Sequence, residues 1–226
     1  MSLFQVFTDD DICHLLKANG YGKHKVKNEY LIHQLSFLPL SLSEHNQMMV
    51  HDFINKHGEV YRKFTIPAVY TKHNKERVLE LPEHFCITVE NYLKWYVKQD
   101  IPNEYRHKSH TYLGLSKKAP MLLNNEFKAY KMTENKTDKG AEYQPNNLRS
   151  KIKSLLNKAG YEWATFKTFT DSLIVNLHRN NADVKQIVEM FEFRSRETVL
   201  NRINGNVLTL SDALNKVYSR IKVTGH

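Results

Sequence analysis

Phe166 to Ile203 reads FKTFTDSLIVNLHRNNADVKQIVEMFEFRSRETVLNRI, and the rhythm of this stretch decides the fold. Phe169, Leu173, Ile174 and Leu177 recur at spacings of three and four, which is one face of a helix. Asn180-Asn181 punctuates that helix, because Asn tolerates the left-handed conformation in which helices often end. Asp183 can cap a second helix carrying Val184, Ile187, Val188 and Phe191, and Ser195 a short third one holding Val199 and Ile203. The spacing therefore predicts three helices joined by tight turns.

Working outward, the same signals recur. Upstream, Pro145-Asn146-Asn147 opens a helix with Leu148, Ile152, Leu155 and Leu156, stopped at Gly160. Downstream, Ser211 caps a last helix, over about residues 211–222, with Leu214, Val217 and Ile221 on one side. At the other end, Thr8 and Asp11 stand at capping-box spacing and predict a helix ending at Asn19-Gly20. Tyr21–Lys27 reads as a loop or a frayed start, Tyr30 to Leu38 as a second helix stopped by Pro39, and Ser43 to His57-Gly58 as a third. Val60–Ile66 and Val78–Leu81 read as two strands of a small antiparallel hairpin, followed by a helix from Pro82 to about Gln99. Pro102–Gly140 carries little periodicity, and its polar end, Thr133–Gly140, is expected to be an exposed loop. The fold class is mainly α (α+β), one domain over residues 1–226 with a core over about 7–205.

A chain of 226 residues is long enough for a substantial core. Its formal net charge of +9, from 33 Lys and Arg against 24 Asp and Glu, favours a polyanionic partner, most simply nucleic acid. Cys13 and Cys86 have no metal-ligand spacing and suggest no disulfide framework, which fits a reducing compartment. No apolar run approaches the roughly 18 residues of a membrane span, and the N-terminus lacks secretory features. His107 and His110 lack a companion ligand at metal spacing, so no metal and no cofactor is expected, and the protein is expected to be cytoplasmic and DNA-associated.

The order of these features resembles the catalytic domain of tyrosine recombinases, the phage-integrase family. Leu38-Pro39-Leu40-Ser41-Leu42-Ser43-Glu44 resembles the family's T-G-L-R-x-S-E segment. The run from Thr71 to Pro82, TKHNKERVLELP, resembles its hairpin motif T-K-x-x-K-x-R-x-x-x-L-P. Lys167 to Val184 resembles the box H-x-L-R-H-T-F-A-T-x-L-L-x-x-G-A-D-L, and Ile187 to Ile203 the box I-Q-x-L-L-G-H-S-S-x-x-T-T-x-I-Y. The family cleaves DNA with a tyrosine hydroxyl while cationic side chains stabilise the phosphate's developing charge.

Carried over position by position, the resemblance implies a degenerate site. Ser41 and Thr170 stand where the two clamp arginines are expected, Asp171 where a histidine is, Phe193 at the later histidine, and Arg202 at the tyrosine; Lys72 and Lys167 fit the family. Scaffold positions are kept: Glu44, Leu173, Leu177, Ala182, Asp183, Ile187, Phe191 and Thr198. The resemblance thus implies a catalytically inactive, recombinase-like DNA-binding protein, an accessory or regulatory factor in recombination or integration of a mobile element. Double-stranded DNA would be held, weakly and in a salt-dependent way, by Lys72, Lys75, Arg77, Lys167, Arg194, Arg196 and Arg202. The family's separate N-terminal clamp domain is expected to be absent. The partners expected beside DNA are an active recombinase or a second copy docked through Leu210, Leu214, Val217 and Ile221, and two alternatives remain: an active recombinase with Tyr218 as displaced nucleophile, and a protein-interaction module without DNA binding.

Overall fold

In the computed structural model the described residues are 5–71, 74–137 and 140–205. Lys72, Tyr218, the stripe Leu210, Leu214, Val217 and Ile221, and the whole expected helix over 211–222 lie outside them.

Helix α1 (Asp9–Asn19) begins with the reciprocal cap its sequence predicts: the Thr8 hydroxyl accepts from the Asp11 N–H at 3.2 Å and the Asp11 carboxylate from the Thr8 N–H at 2.8 Å. Helix α2 (Lys25–Phe37) starts earlier than its apolar residues suggest. Lys25–Lys27 is helical rather than a loop because Lys27 is buried, its ammonium donating to the Asn124 carbonyl at 2.7 Å and to Asn125 Oδ1 at 3.0 Å. Tyr30, Leu31, Ile32 and Leu35 are all buried, which makes α2 the central helix, packed against α1 and α5 (Glu83–Tyr96). The Tyr30 and Tyr92 rings stack with centroids 4.0 Å apart.

The expected third helix, Ser43 to His57, is two helices. Helix α3 (Leu42–Gln47) is capped by Ser41, two residues before the expected cap, and α4 (Val50–Phe53) follows after an extended Met48-Met49. The break has a partner: Met121 donates to the Met48 carbonyl at 2.9 Å and Val50 to the Ala119 carbonyl at 2.9 Å. A passing segment takes the backbone bonds that a continuous helix would use. That segment is itself pinned by Tyr92 and Tyr96, whose hydroxyls donate to the carbonyls of Met121 at 2.7 Å and Pro120 at 3.0 Å.

Strands β1 (Lys63–Ile66) and β2 (Arg77–Glu80) form the expected antiparallel hairpin, pairing Phe64 with Leu79 and Ile66 with Arg77. A second hairpin, β3 (Thr133–Thr137) with β4 (Gly140–Gln144), replaces the loop expected over Thr133–Gly140. Its sequence, TENKTDKGAEYQ, has none of the apolar alternation by which a strand announces itself.

Helices α6 (Asn146–Lys158), α7 (Phe166–Arg179), α8 (Val184–Phe191) and α9 (Arg196–Asn204) complete the described residues. Asn181 ends the α7 turn with φ +67° and Asp183 caps α8, accepting from Lys185 N–H at 2.5 Å. Helix α7 is a wall between two cores. Phe169 belongs to the large core, whereas Ile174 joins Ile187, Val199 and Ile203 in a small one that α8 and α9 close. The described residues are mainly helical with a small antiparallel hairpin, as the sequence predicts, and with a second hairpin that it does not.

Candidate functional site

A cleft of about 570 Å³ opens where the start of α3, strand β2, the first turns of α7 and the α8–α9 turn converge. Ser41, Lys167, Thr170, Phe193 and Arg202 all line it. These are five of the seven positions the resemblance singles out; Asp171 is buried behind them and is not among the lining residues, and Lys72 lies outside the described residues.

Each element delivers its residue by ordinary local physics. Ser41 sits at the N-cap of α3, its hydroxyl accepting from Glu44 N–H at 3.2 Å while the Glu44 carboxylate accepts from Ser41 N–H at 2.6 Å. Lys167, Thr170 and Asp171 fall within one turn of α7, so they share one end of the helix. Arg202 comes from α9, and its Nε lies 2.7 Å from Asp171 Oδ1. Lys167 Nζ lies 3.9 Å from the other carboxylate oxygen. Burial raises the Asp171 carboxyl above its ordinary value, and the charges of Arg202 and Lys167 offset part of that rise. The Arg202 guanidinium also stacks on the Phe193 ring, 4.4 Å from its centroid, and Phe193 stacks on Phe191 with the planes 3° apart.

Arg77 is placed beneath the open face rather than on it. Its side chain is 8% exposed. It pairs with Glu44, approaches Glu192 at 3.6 Å, and donates to the carbonyls of Pro39 at 3.1 Å and Met190 at 2.6 Å. The pleat of β2 carries the missed signal: Arg77 and Leu79 point inward, Val78 and Glu80 outward. Glu192 is a second residue that sequence reading undervalued. It holds the left-handed C-cap of α8 at φ +54°, a conformation that favours glycine. His45, next to Glu44, is buried; desolvation, helped by the Arg77 charge, lowers its pKa to about 3, so its imidazole is neutral near pH 7.

The exposed cations lie around this centre. Lys75 and Arg194 line an adjoining groove of about 450 Å³, and Arg196 is exposed at the first position of α9. Among the described residues no tyrosine lines the cleft; Tyr161 donates to Asp11 of α1 at 2.8 Å. Among the described residues no three His, Cys, Asp or Glu side chains converge on a metal-sized site, and no helix is long and apolar enough to cross a membrane.

Solved recombinase structures share the fold of this chain. A XerA recombinase matches 98% of this chain and 66% of its own at a TM-score of 0.63 and 15% identity. The chain has the tyrosine-recombinase catalytic-domain fold. A XerH site-specific recombinase bound to its palindromic difH substrate matches 96% of this chain and 53% of its own, with a TM-score of 0.59 and 17% identity. The Tn1549 transposon integrase in complex with transposon right end DNA matches 95% and 65%, at 0.62 and 12%. The chain thus spans between about half and two thirds of the recombinases it matches. No family model and no curated protein matches the sequence.

Proposed function

We propose that this recombinase-like fold serves DNA binding without strand cleavage, as an accessory or regulatory factor in the recombination or integration of a mobile element. The observation that carries this reading is the convergence of Ser41, Thr170, Phe193 and Arg202 on one cleft. In the family resemblance these are the positions of both clamp arginines, a histidine and the nucleophile. A hydroxyl has no positive fork for phosphate oxygens. Loss of even one donor to a developing oxyanion costs about 10²–10³ in rate. Arg202 at the tyrosine position offers no hydroxyl, and Asp171 places a carboxylate where a histidine would face the phosphate.

Duplex DNA remains the partner that the charge favours, and the XerH and Tn1549 structures are DNA complexes. The exposed side chains Lys75, Arg194 and Arg196, with Lys167 at the cleft mouth, are suited to phosphate contact. Lys72 joins them on the sequence motif alone. Arg77 and Arg202 take a different role from the one their sequence motif suggests: they hold the cleft together from within. An active recombinase acting on the same DNA is the partner this reading implies.

The test incubates the protein with nicked duplexes carrying randomised arms and examines the mixture on native and denaturing gels. The expected outcome is a retarded band at 50 mM salt that fades by about 200 mM, with no covalent adduct, since backbone-driven binding is salt-sensitive. An adduct that disappears in Tyr218→Phe would overturn the loss of catalysis. No retarded band at the lowest salt would overturn DNA binding.

A further inference from the structure

Asp171 is buried behind the cleft lining and pairs with two cations that line it, Arg202 and Lys167. Its two oxygens are divided between two cations, Oδ1 at 2.7 Å from Arg202 Nε and Oδ2 at 3.9 Å from Lys167 Nζ. Paired cations hold the two non-bridging oxygens of a phosphodiester in the same divided way. The carboxylate is 7% exposed and the Lys167 side chain 60% exposed, so the anion lies below and the cations above it. Arg202 has little freedom to turn outward, because it stacks on Phe193, which is itself backed by Phe191.

We propose that Asp171 is an internal phosphate mimic, a specificity-determining residue that lies buried behind the cleft lining, compensates Arg202 from below and confines the DNA backbone to the rim cations Lys75, Arg194 and Arg196. This rests on the DNA-binding reading and adds to it the reason binding is weak. A phosphate arriving at the centre meets a guanidinium already compensated and a carboxylate that repels it. Rim contacts are unaffected, because exposed charges are screened by solvent and salt.

Asp171→Asn keeps the side chain's size and an oxygen for Arg202 Nε–H while removing the charge. It is expected to bind a random-sequence duplex about tenfold tighter at 50 mM salt, with a salt slope steeper by about 0.9, the signature of one added phosphate contact. Glu29→Gln, on the exposed side of α2, makes the same change in net charge and is expected to shift affinity less than twofold. Asp171→Asn/Arg202→Met removes both partners and is expected to return affinity to the wild-type value, because the freed cation is gone. Should Asp171→Asn not fold, Asp171→Ser, which also removes the charge and keeps an oxygen, carries the test with the same expected gain and the same overturning result.

A gain in Asp171→Asn no larger than in Glu29→Gln overturns the proposal while leaving the wild type's own binding, and so the DNA-binding reading, intact. A double variant that binds more than fivefold tighter or weaker than wild type also overturns it. If the wild type fails to bind duplex and Asp171→Asn binds it, the mimic stands and the reading of the wild type as a DNA-binding protein falls.

Discussion

Arg77 joins three elements through one guanidinium. It reaches the Pro39 carbonyl and Glu44 at the start of α3, and the Met190 carbonyl and Glu192 at the end of α8, from its own place on β2. Met190 O belongs to the last turn of α8, where carbonyls lack helical partners, so Arg77 also acts as a helix C-terminal cap. Beside that contact Glu192 holds a left-handed conformation, which costs a non-glycine residue on the order of 1 kcal/mol. Arg77→Ala would leave Glu44 and Glu192 without their cation. Removing one partner of a buried ion pair costs about 3–5 kcal/mol, so urea unfolding should show a loss of that order. A loss under about 1 kcal/mol would mean that water solvates the carboxylates and that the network is looser than its geometry. Sequence reading set Arg77 on the DNA face because the hairpin motif weighed more than the alternation of Arg77-Val78-Leu79-Glu80, which buries it.

At the scale of elements, the positions that the family resemblance singles out do structural work. Ser41, which on the proposed reading stands at a clamp-arginine position, caps α3 through a reciprocal pair with Glu44, which also receives Arg77. Restoring the arginine would therefore cost a cap. Ser41→Arg is expected to lower stability by about 1 kcal/mol, and to yield no covalent adduct on nicked duplex, because the nucleophile position remains Arg202. An unchanged or raised denaturation midpoint would show that the cap contributes nothing. Helices α7 to α9 were legible in detail because each combines an apolar stripe with a strong capping residue, Asp183 and Ser195 among them. The α3–α4 break was not legible, since its cause is a remote backbone, residues 119–121, that no local pattern announces. The β3–β4 hairpin escaped for the opposite reason: its backbone pairs with itself, and its polar sequence carries no face to bury.

For the whole molecule, the +9 net charge and the cleft give different answers about DNA. Charge favours a polyanion anywhere on the surface, whereas the cleft's cations are largely engaged by Glu44, Glu192 and Asp171. The positions lining the cleft could be gathered from the sequence because capped helices fixed the register of both C-terminal boxes. The pairing of Asp171 with Arg202 could not, because it joins two helices that meet only through the small core of Ile174, Ile187, Val199 and Ile203. On the proposed DNA-binding reading this leaves the rim for DNA, and the rim can be measured. Each lysine or arginine that neutralises a backbone phosphate contributes about 0.9 to the slope of log affinity against log salt. Lys75→Ala/Arg194→Ala/Arg196→Ala should therefore flatten the slope by about 2.7 and weaken binding alike across duplex sequences, without loss of fold by circular dichroism. An unchanged slope would move the DNA to another face of the molecule. A loss confined to some duplex sequences would make these residues readers of bases rather than of the backbone.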